Sequence, residues 1–195
     1  MSVFVLTGTP GTGKSTLSEM LEKKGYSVLR INDIVNSGHA WTRKEKGSKV
    51  VSLSKLKGLL LREIKRSKGA SLVIEGHLAC EFNLPADFCI VLRSDPIVLL
   101  SRMSKRKYPA EKIAENTEAE FIDYCTQLSE RNYKCPVYEL DSSSGVLSSF
   151  RKLLALIKLA ENKNAGKKRL EHFKPGRISW SGRMKDRRLA KFLYL

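Results

Sequence analysis

Residues 3–16 read Val3-Phe4-Val5-Leu6-Thr7-Gly8-Thr9-Pro10-Gly11-Thr12-Gly13-Lys14-Ser15-Thr16. An apolar run leads straight into a loop that matches the pattern G-x-x-x-x-G-K-[ST] from Gly8 to Ser15. The glycines at 8, 11 and 13 let the backbone turn tightly and approach an anion with no side chain in the way. The amide N–H groups of such a loop form a concave anion site, and the helix that follows adds the positive end of its dipole. The pattern carries meaning only between a strand and a helix. Both are expected here: a strand over Val3–Thr7, and an amphipathic helix from Lys14 to about Lys24 that Gly25 closes.

Working outward, Tyr26–Ile31 predicts a second strand. Ser52–Lys65 predicts a helix, because Leu53, Leu56, Leu59, Leu60 and Ile64 recur at helical spacing. The runs Ser71–Ile74, ending at Glu75, and Phe88–Leu92 are continuously apolar, as strands buried on both faces of a parallel sheet are. Asp95-Pro96 predicts a helix start with proline at its favoured first position. A polar helical region follows over Glu111–Asn132, then a fifth strand over Val137–Leu140 and a last helix over Ser148–Glu161. Strands alternating with helices predict an α/β fold, with three layers around a five-stranded parallel sheet. The composition changes at Asn162. Residues 1–161 are therefore read as one domain and 162–195 as a basic C-terminal extension with a polar linker at its start.

The chain is 42% hydrophobic and 29% charged, an ordinary globular balance, but its net charge of +16 is not ordinary and predicts an anionic partner. The extension from Lys163 to Leu195 holds eleven Lys and Arg against two acidic residues, with Phe173, Trp180, Phe192 and Tyr194 interspersed. Basic residues among aromatics suit RNA backbone contact and base stacking. Met184, Leu189, Phe192 and Leu193 also allow an amphipathic helix from Ser179 that docks on a partner, and a disordered solubilising tail is the third reading. Cys80, Cys89, Cys125 and Cys135 include no Cys-x-x-Cys pair, which argues against a zinc knuckle and for a reducing compartment. The apolar start lacks a basic leader, and no stretch is long enough to cross a bilayer. A cytoplasmic protein is expected, or a nuclear one in a eukaryote, without membrane contact.

The loop pattern predicts ATP with Mg²⁺ as the ligand. Gly8, Pro10, Gly11, Thr12, Gly13, Lys14, Ser15 and Thr16 are the expected binding residues. Lys14 is expected on the β- and γ-phosphates, and the Ser15 hydroxyl on the metal.

Several features resemble the adenylate kinase superfamily. The loop sits at the very N-terminus. The strand ending Val91-Leu92-Arg93 leads through Ser94-Asp95-Pro96 into a helix that carries Arg102 and Arg106 ahead of a short lid. The closer resemblance is to the atypical sixth-isoenzyme adenylate kinases, on three stretches. These are Gly8 to Lys14, Glu75-Gly76-His77, and Arg102-Met103-Ser104-Lys105-Arg106-Lys107-Tyr108, continued by Lys112, Asn116 and Glu120. The resemblance covers about residues 1–160. It implies transfer of the γ-phosphoryl of ATP to AMP or another nucleoside monophosphate, or to water. It also implies a role in small ribosomal subunit maturation, with a platform protein of that subunit and rRNA as partners. Three departures stand out. Glu75 occupies a position where the family has Asp, Asn36 stands where ordinary adenylate kinases carry an acceptor-binding arginine, and Lys107 replaces a small lid residue.

Two readings stand for each remaining candidate. Glu75 organises Mg²⁺, directly or through water, or it caps a strand. His77 orients a catalytic water or the lid, or it is structural. Arg102 and Arg106, four apart on one helical face, stabilise the transferring phosphoryl group or form surface ion pairs. Asp33 contacts the acceptor or caps a helix. Three activities follow from these readings: a nucleoside monophosphate kinase, a metabolic kinase for another small acceptor, or an ATP-gated assembly factor with vestigial transferase activity.

Overall fold

A computed structural model describes residues 2–38, 40–45, 48–67, 69–162 and 167–189. In chain order these form β1 (Val3–Gly8), α1 (Lys14–Glu22), β2 (Ser27–Arg30), α2 (Ile31–Asn36), β3 (Trp41–Glu45), β4 (Ser48–Val51), α3 (Leu53–Arg66) and β5 (Leu72–Glu75). They continue as β6 (Phe88–Arg93), α4 (Pro96–Lys105), α5 (Ala110–Phe121), α6 (Tyr124–Asn132), β7 (Val137–Asp141), α7 (Val146–Glu161) and α8 (Lys167–Leu170).

The main sheet has five parallel strands in the order β2-β5-β1-β6-β7, which puts β1 in the centre. Side chains alternate along a strand, and here both faces are covered. Phe4 and Leu6 of β1 pack with Leu17 and Leu21 of α1 and with Leu153, Leu156 and Ile157 of α7. Val5, between them in sequence, packs with Ile31 of α2, Leu56 and Leu60 of α3, and Cys125 of α6. This burial on both sides is why the strands read as unbroken apolar runs, and it produces the expected three layers. Phe4 and Phe88 stack across β1 and β6 with centroids 4.9 Å apart.

The structure corrects four local expectations. The second strand stops at Arg30, and Ile31–Asn36 is helical instead. A small antiparallel sheet, β3 with β4, precedes α3. The polar helical stretch is two helices, broken at Asp123, which adopts a left-handed conformation (φ 58°). From Ser179 the described residues form one 3-10 turn, Ser181–Arg183, and not an amphipathic helix.

The C-terminal extension, as far as it is described, folds back on the domain. Leu170 and Phe173 pack against the α1/α7 side of the core, and Leu189 is fully buried. Lys163, Lys191, Phe192, Leu193, Tyr194 and the linker residues 163–166 lie outside the described residues.

Candidate nucleotide site at the C-terminal edge of the sheet

The glycine loop leaves the C-terminal end of the central strand. A side-chain carbon at Gly8 would stand 2.3 Å from the carbonyl oxygen of Leu92, so only glycine lets the loop lie against β6. Gly13 has open space around it but takes φ 101° as the residue that opens α1, and its requirement is conformational. The loop is tied to itself. Thr12 donates from its backbone N and its Oγ1 to Thr9 O, at 3.2 and 2.9 Å. Lys14 Nζ donates to Gly8 O at 2.6 Å and to Thr9 O at 2.9 Å. Burial pushes the Lys14 ammonium below its ordinary pKa, against the opposing pull of Cys125, Glu75 and Glu120. The cation is held in a poorly screened place, where its attraction for a phosphate is strongest.

β5 pairs with β1 so that Glu75 lies opposite Leu6. That register delivers the Glu75 carboxylate to the start of α1, where Ser15 Oγ donates to Oε1 at 3.4 Å. Glu75 is buried. Burial pushes its pKa up, while Lys14 and Arg30 pull it down. The Ser15 hydroxyl and this carboxylate are adjacent hard oxygen donors, the set that Mg²⁺ takes, so the pair fits the metal that the loop pattern implies. His77 follows in a 3-10 turn, with its backbone carbonyl accepting from Thr7 Oγ1 at 3.2 Å. Burial, with Lys14 nearby, lowers the imidazole pKa to about 4, so the ring is neutral at pH 7. Glu75, His77, Lys14, Ser15 and Thr16 line one polar cavity of about 110 Å³, together with Arg106 and Tyr108.

Asp95 caps α4 by accepting from Ile97 N at 2.9 Å, with Pro96 in the first turn. The helix delivers both expected arginines, in different roles. Arg102 Nη2 donates to Ser142 O at 2.8 Å, and Nη1 lies 3.5 Å from Thr12 O and 3.4 Å from Ser94 Oγ. It ties the segment after β7 to the glycine loop. Burial and the neighbouring Arg106 lower its pKa. Arg106 is the residue that ends α4, and it lines the phosphate-side cavity. It also lines a second one of about 230 Å³, which it shares with Arg102, Ser142, Val146 and Ser149.

A larger cavity of about 800 Å³ opens against Thr9 and Pro10 of the loop, among α2, the end of β4, α5 and the 3-10 turn. Asn32, Val35, Val51, His77, Tyr108, Lys112 and Asn116 are among its lining residues. Asp33, the sequence candidate for acceptor contact, is exposed on α2 and lines none of these cavities. Asn32 beside it lines both the large and the phosphate-side ones. Among the described residues that line the large cavity, Lys112 is the one side chain carrying a positive charge. Cys80 and Cys125 also line it, and the Cys80 thiol donates to His77 O at 3.1 Å.

Sequence reading missed a buried cluster behind the loop. Arg93, at the end of β6, donates from Nε to Glu120 Oε1 at 2.8 Å and also pairs with Glu139 and Asp123. Glu120 Oε1 accepts in addition from Ser94 N at 3.1 Å and from Trp180 Nε1 at 3.2 Å. Glu120 Oε2 accepts from Thr9 Oγ1 at 2.6 Å. Burial pushes the Glu120 carboxyl pKa up, with Arg93 the largest opposing influence. Trp180, expected to face RNA bases, is half-buried against the domain. Arg93 and Glu120 entered the sequence reading through the family resemblance and Trp180 through the basic extension, but nothing there linked them. No spacing rule links residues 9, 93, 120, 139 and 180.

A family model described as AAA domain matches residues 5–123. The protein named "Putative adenylate kinase" of Archaeoglobus fulgidus is 31% identical over 185 residues, which span 95% of each chain. Its namesake in Methanosarcina acetivorans is 33% identical over 184 residues, spanning 90% of this chain and 95% of that one. That of Methanococcus maripaludis is 35% identical over 150 residues, spanning 72% and 80%. Among solved structures, TT1252 from Thermus thermophilus superposes with a TM-score of 0.59 at 18% identity, covering 84% of this chain and 98% of that chain. Shikimate kinase from Bacteroides thetaiotaomicron superposes at 0.52 and 15% identity, covering 81% and 99%. These two share the fold. The near full-length identity to the archaeal proteins goes further, and by it the chain is an adenylate kinase-like member of the AAA-domain P-loop family.

Proposed function

We propose that this protein transfers the γ-phosphoryl group of ATP to a nucleoside monophosphate, with AMP as the acceptor. The observation that carries this reading is that two cavities with no lining residue in common are each lined by a different part of one glycine loop, Thr9 and Pro10 in one and Gly11 to Gly13 in the other. The loop and Lys14 would hold the ATP phosphates. The cavity at Arg102, Arg106, Ser142 and Val146 would take the rest of ATP, and the larger one beyond His77 would take the acceptor. Mg²⁺, held at Ser15 and Glu75, would neutralise phosphate charge. Arg106 would supply positive charge where negative charge builds on the transferring group. Neutral His77, which lines both the large cavity and the phosphate-side one, would orient the attacking oxygen. Asn32 replaces Asp33 as the residue of α2 that meets the acceptor. No helix of the described residues is long and apolar enough to cross a membrane.

One observation favours a second reading. Acceptor phosphate is usually held by arginine forks, and the described lining of the large cavity offers Lys112 alone. Water then becomes a competing acceptor. In this reading the protein is an ATP-hydrolysing assembly factor of the sixth-isoenzyme type, acting on the small ribosomal subunit. Its +16 charge would serve contact with rRNA and a platform protein. One experiment separates the two: incubate the protein with ATP, with and without AMP, and resolve the products. Two ADP per ATP consumed, only when AMP is present, supports transfer. ADP with inorganic phosphate, indifferent to AMP, supports hydrolysis. No turnover in either arm sinks both.

A further inference from the structure

We infer that the C-terminal extension is a working part of the nucleotide site, and that Trp180 is a positioning residue for the glycine loop. Three acidic residues of the domain receive donors from this segment. Gly176 N donates to Glu139 Oε2 at 3.1 Å, Trp180 Nε1 to Glu120 Oε1 at 3.2 Å, and Arg183 Nε and Nη2 to Asp95 Oδ2 at 2.9 and 2.5 Å. Each of the three supports a different piece of the site. Asp95 caps the helix of Arg102 and Arg106. Glu139 shares Arg93 with Glu120. Glu120 holds Thr9, whose carbonyl oxygen accepts from Lys14.

Charge balance makes the donors matter. Glu120 and Glu139 are nearly completely buried and, among the described residues, are ion-paired to one cation, Arg93, which also serves the half-exposed Asp123. One guanidinium cannot neutralise that set, and a buried carboxylate that is short of donors is costly. The Trp180 and Gly176 N–H groups meet that shortfall from a segment 60 and 37 residues away in sequence. The Trp180 ring also lies 5.9 Å from the Arg93 guanidinium carbon. Without the indole N–H, Glu120 Oε1 keeps Arg93 Nε and Ser94 N but loses the donor from the extension that helps fix the carboxylate's orientation, and with it the position of Oε2, to which Thr9 donates. The effect reaches the loop as a change in how it grips phosphate.

This inference rests on ATP being the ligand of the loop, and its test keeps the two apart. In the full chain, Trp180→Phe removes the N–H and keeps an aromatic ring beside Arg93. The expected result is an ATP KM raised about fivefold, with kcat within twofold, because loop geometry governs phosphate binding. Thr9→Val alone should raise KM by a similar factor. The double variant should be no worse than the poorer single one, since both act through Glu120. The Kd for ADP, from calorimetry, should follow KM in every variant. If Trp180→Phe leaves KM and the ADP Kd unchanged, or only lowers kcat together with the melting temperature, Trp180 is ordinary packing and the inference falls. Additive effects with Thr9→Val also overturn it. A wild-type chain that binds ADP but turns over no ATP would defeat the proposed function, while the ADP Kd would still decide the role of Trp180.

Discussion

The glycine loop and the wall behind it are built on opposite principles. The loop is one contiguous stretch, Gly8 to Thr16, and it works mainly through backbone: amide N–H groups, two glycines placed by φ and by close approach, and a lysine tied to the loop's own carbonyls. The wall is built mainly from side chains. Arg93, Glu120, Glu139 and Trp180 come from two strands, a helix and the C-terminal segment, and meet only because the sheet and α5 bring them together. Backbone-built sites tolerate change around them and little within. Side-chain clusters spread their dependence over the whole chain.

The sharpest way to break this comparison is Arg93→Leu. It leaves Glu120 and Glu139 buried without their cation, and breaking a buried pair in this way costs about 3–5 kcal/mol. Urea denaturation should show a loss of that order. A loss below about 1 kcal/mol would mean that the wall is not a structural unit. Next comes Lys14→Ala, which should cut ATP turnover on the order of a hundredfold or more, as removal of a transition-state charge partner does, while the melting temperature moves little. Turnover within twofold of wild type would remove the loop from the mechanism. A smaller split is expected at the edge of the loop. Glu75→Gln and His77→Ala should each slow turnover by about tenfold and weaken nucleotide binding less, since both face the phosphate end of the site. Equal losses in rate and affinity would make the pair structural. The smallest effect concerns the lid connection. Lys107 takes φ 56°, a region that favours glycine. Lys107→Gly should raise stability by up to about 1 kcal/mol in the same urea assay, relieving left-handed strain at some entropic cost. A clear loss would show that the Lys107 side chain makes a contact outweighing that strain.

The two arginines show where local reading reaches its limit. Their spacing on one helix was legible, and the structure does place both beside the glycine loop. Their division of labour was not. Arg102 is tied to Ser142 O because β7 ends beside β6, and that pairing belongs to the sheet and not to the helix. Asp33 shows the same limit: it is exposed on α2 and lines none of the cavities described above. A helix of six residues turns Asn32 and not Asp33 toward the cavities, and the run Tyr26–Ile31 gave no sign that Ile31 would open a helix.

What the sequence by itself determined was everything ruled by near neighbours. The glycine loop, the alternation of strands and helices, the two-sided burial of the strands and the cap at Asp95 all follow from spacings of a few residues, over which backbone geometry alone decides the outcome. What only the tertiary structure decided was where distant charges met. Composition counted eleven basic residues in the extension and pointed them outward to RNA. Burial of Glu120 and Glu139 under a single arginine left acceptors in need of donors, and the extension folds back to supply them. A count of charges carries no information about which of them face one another, and in a poorly screened interior that pairing sets the energy.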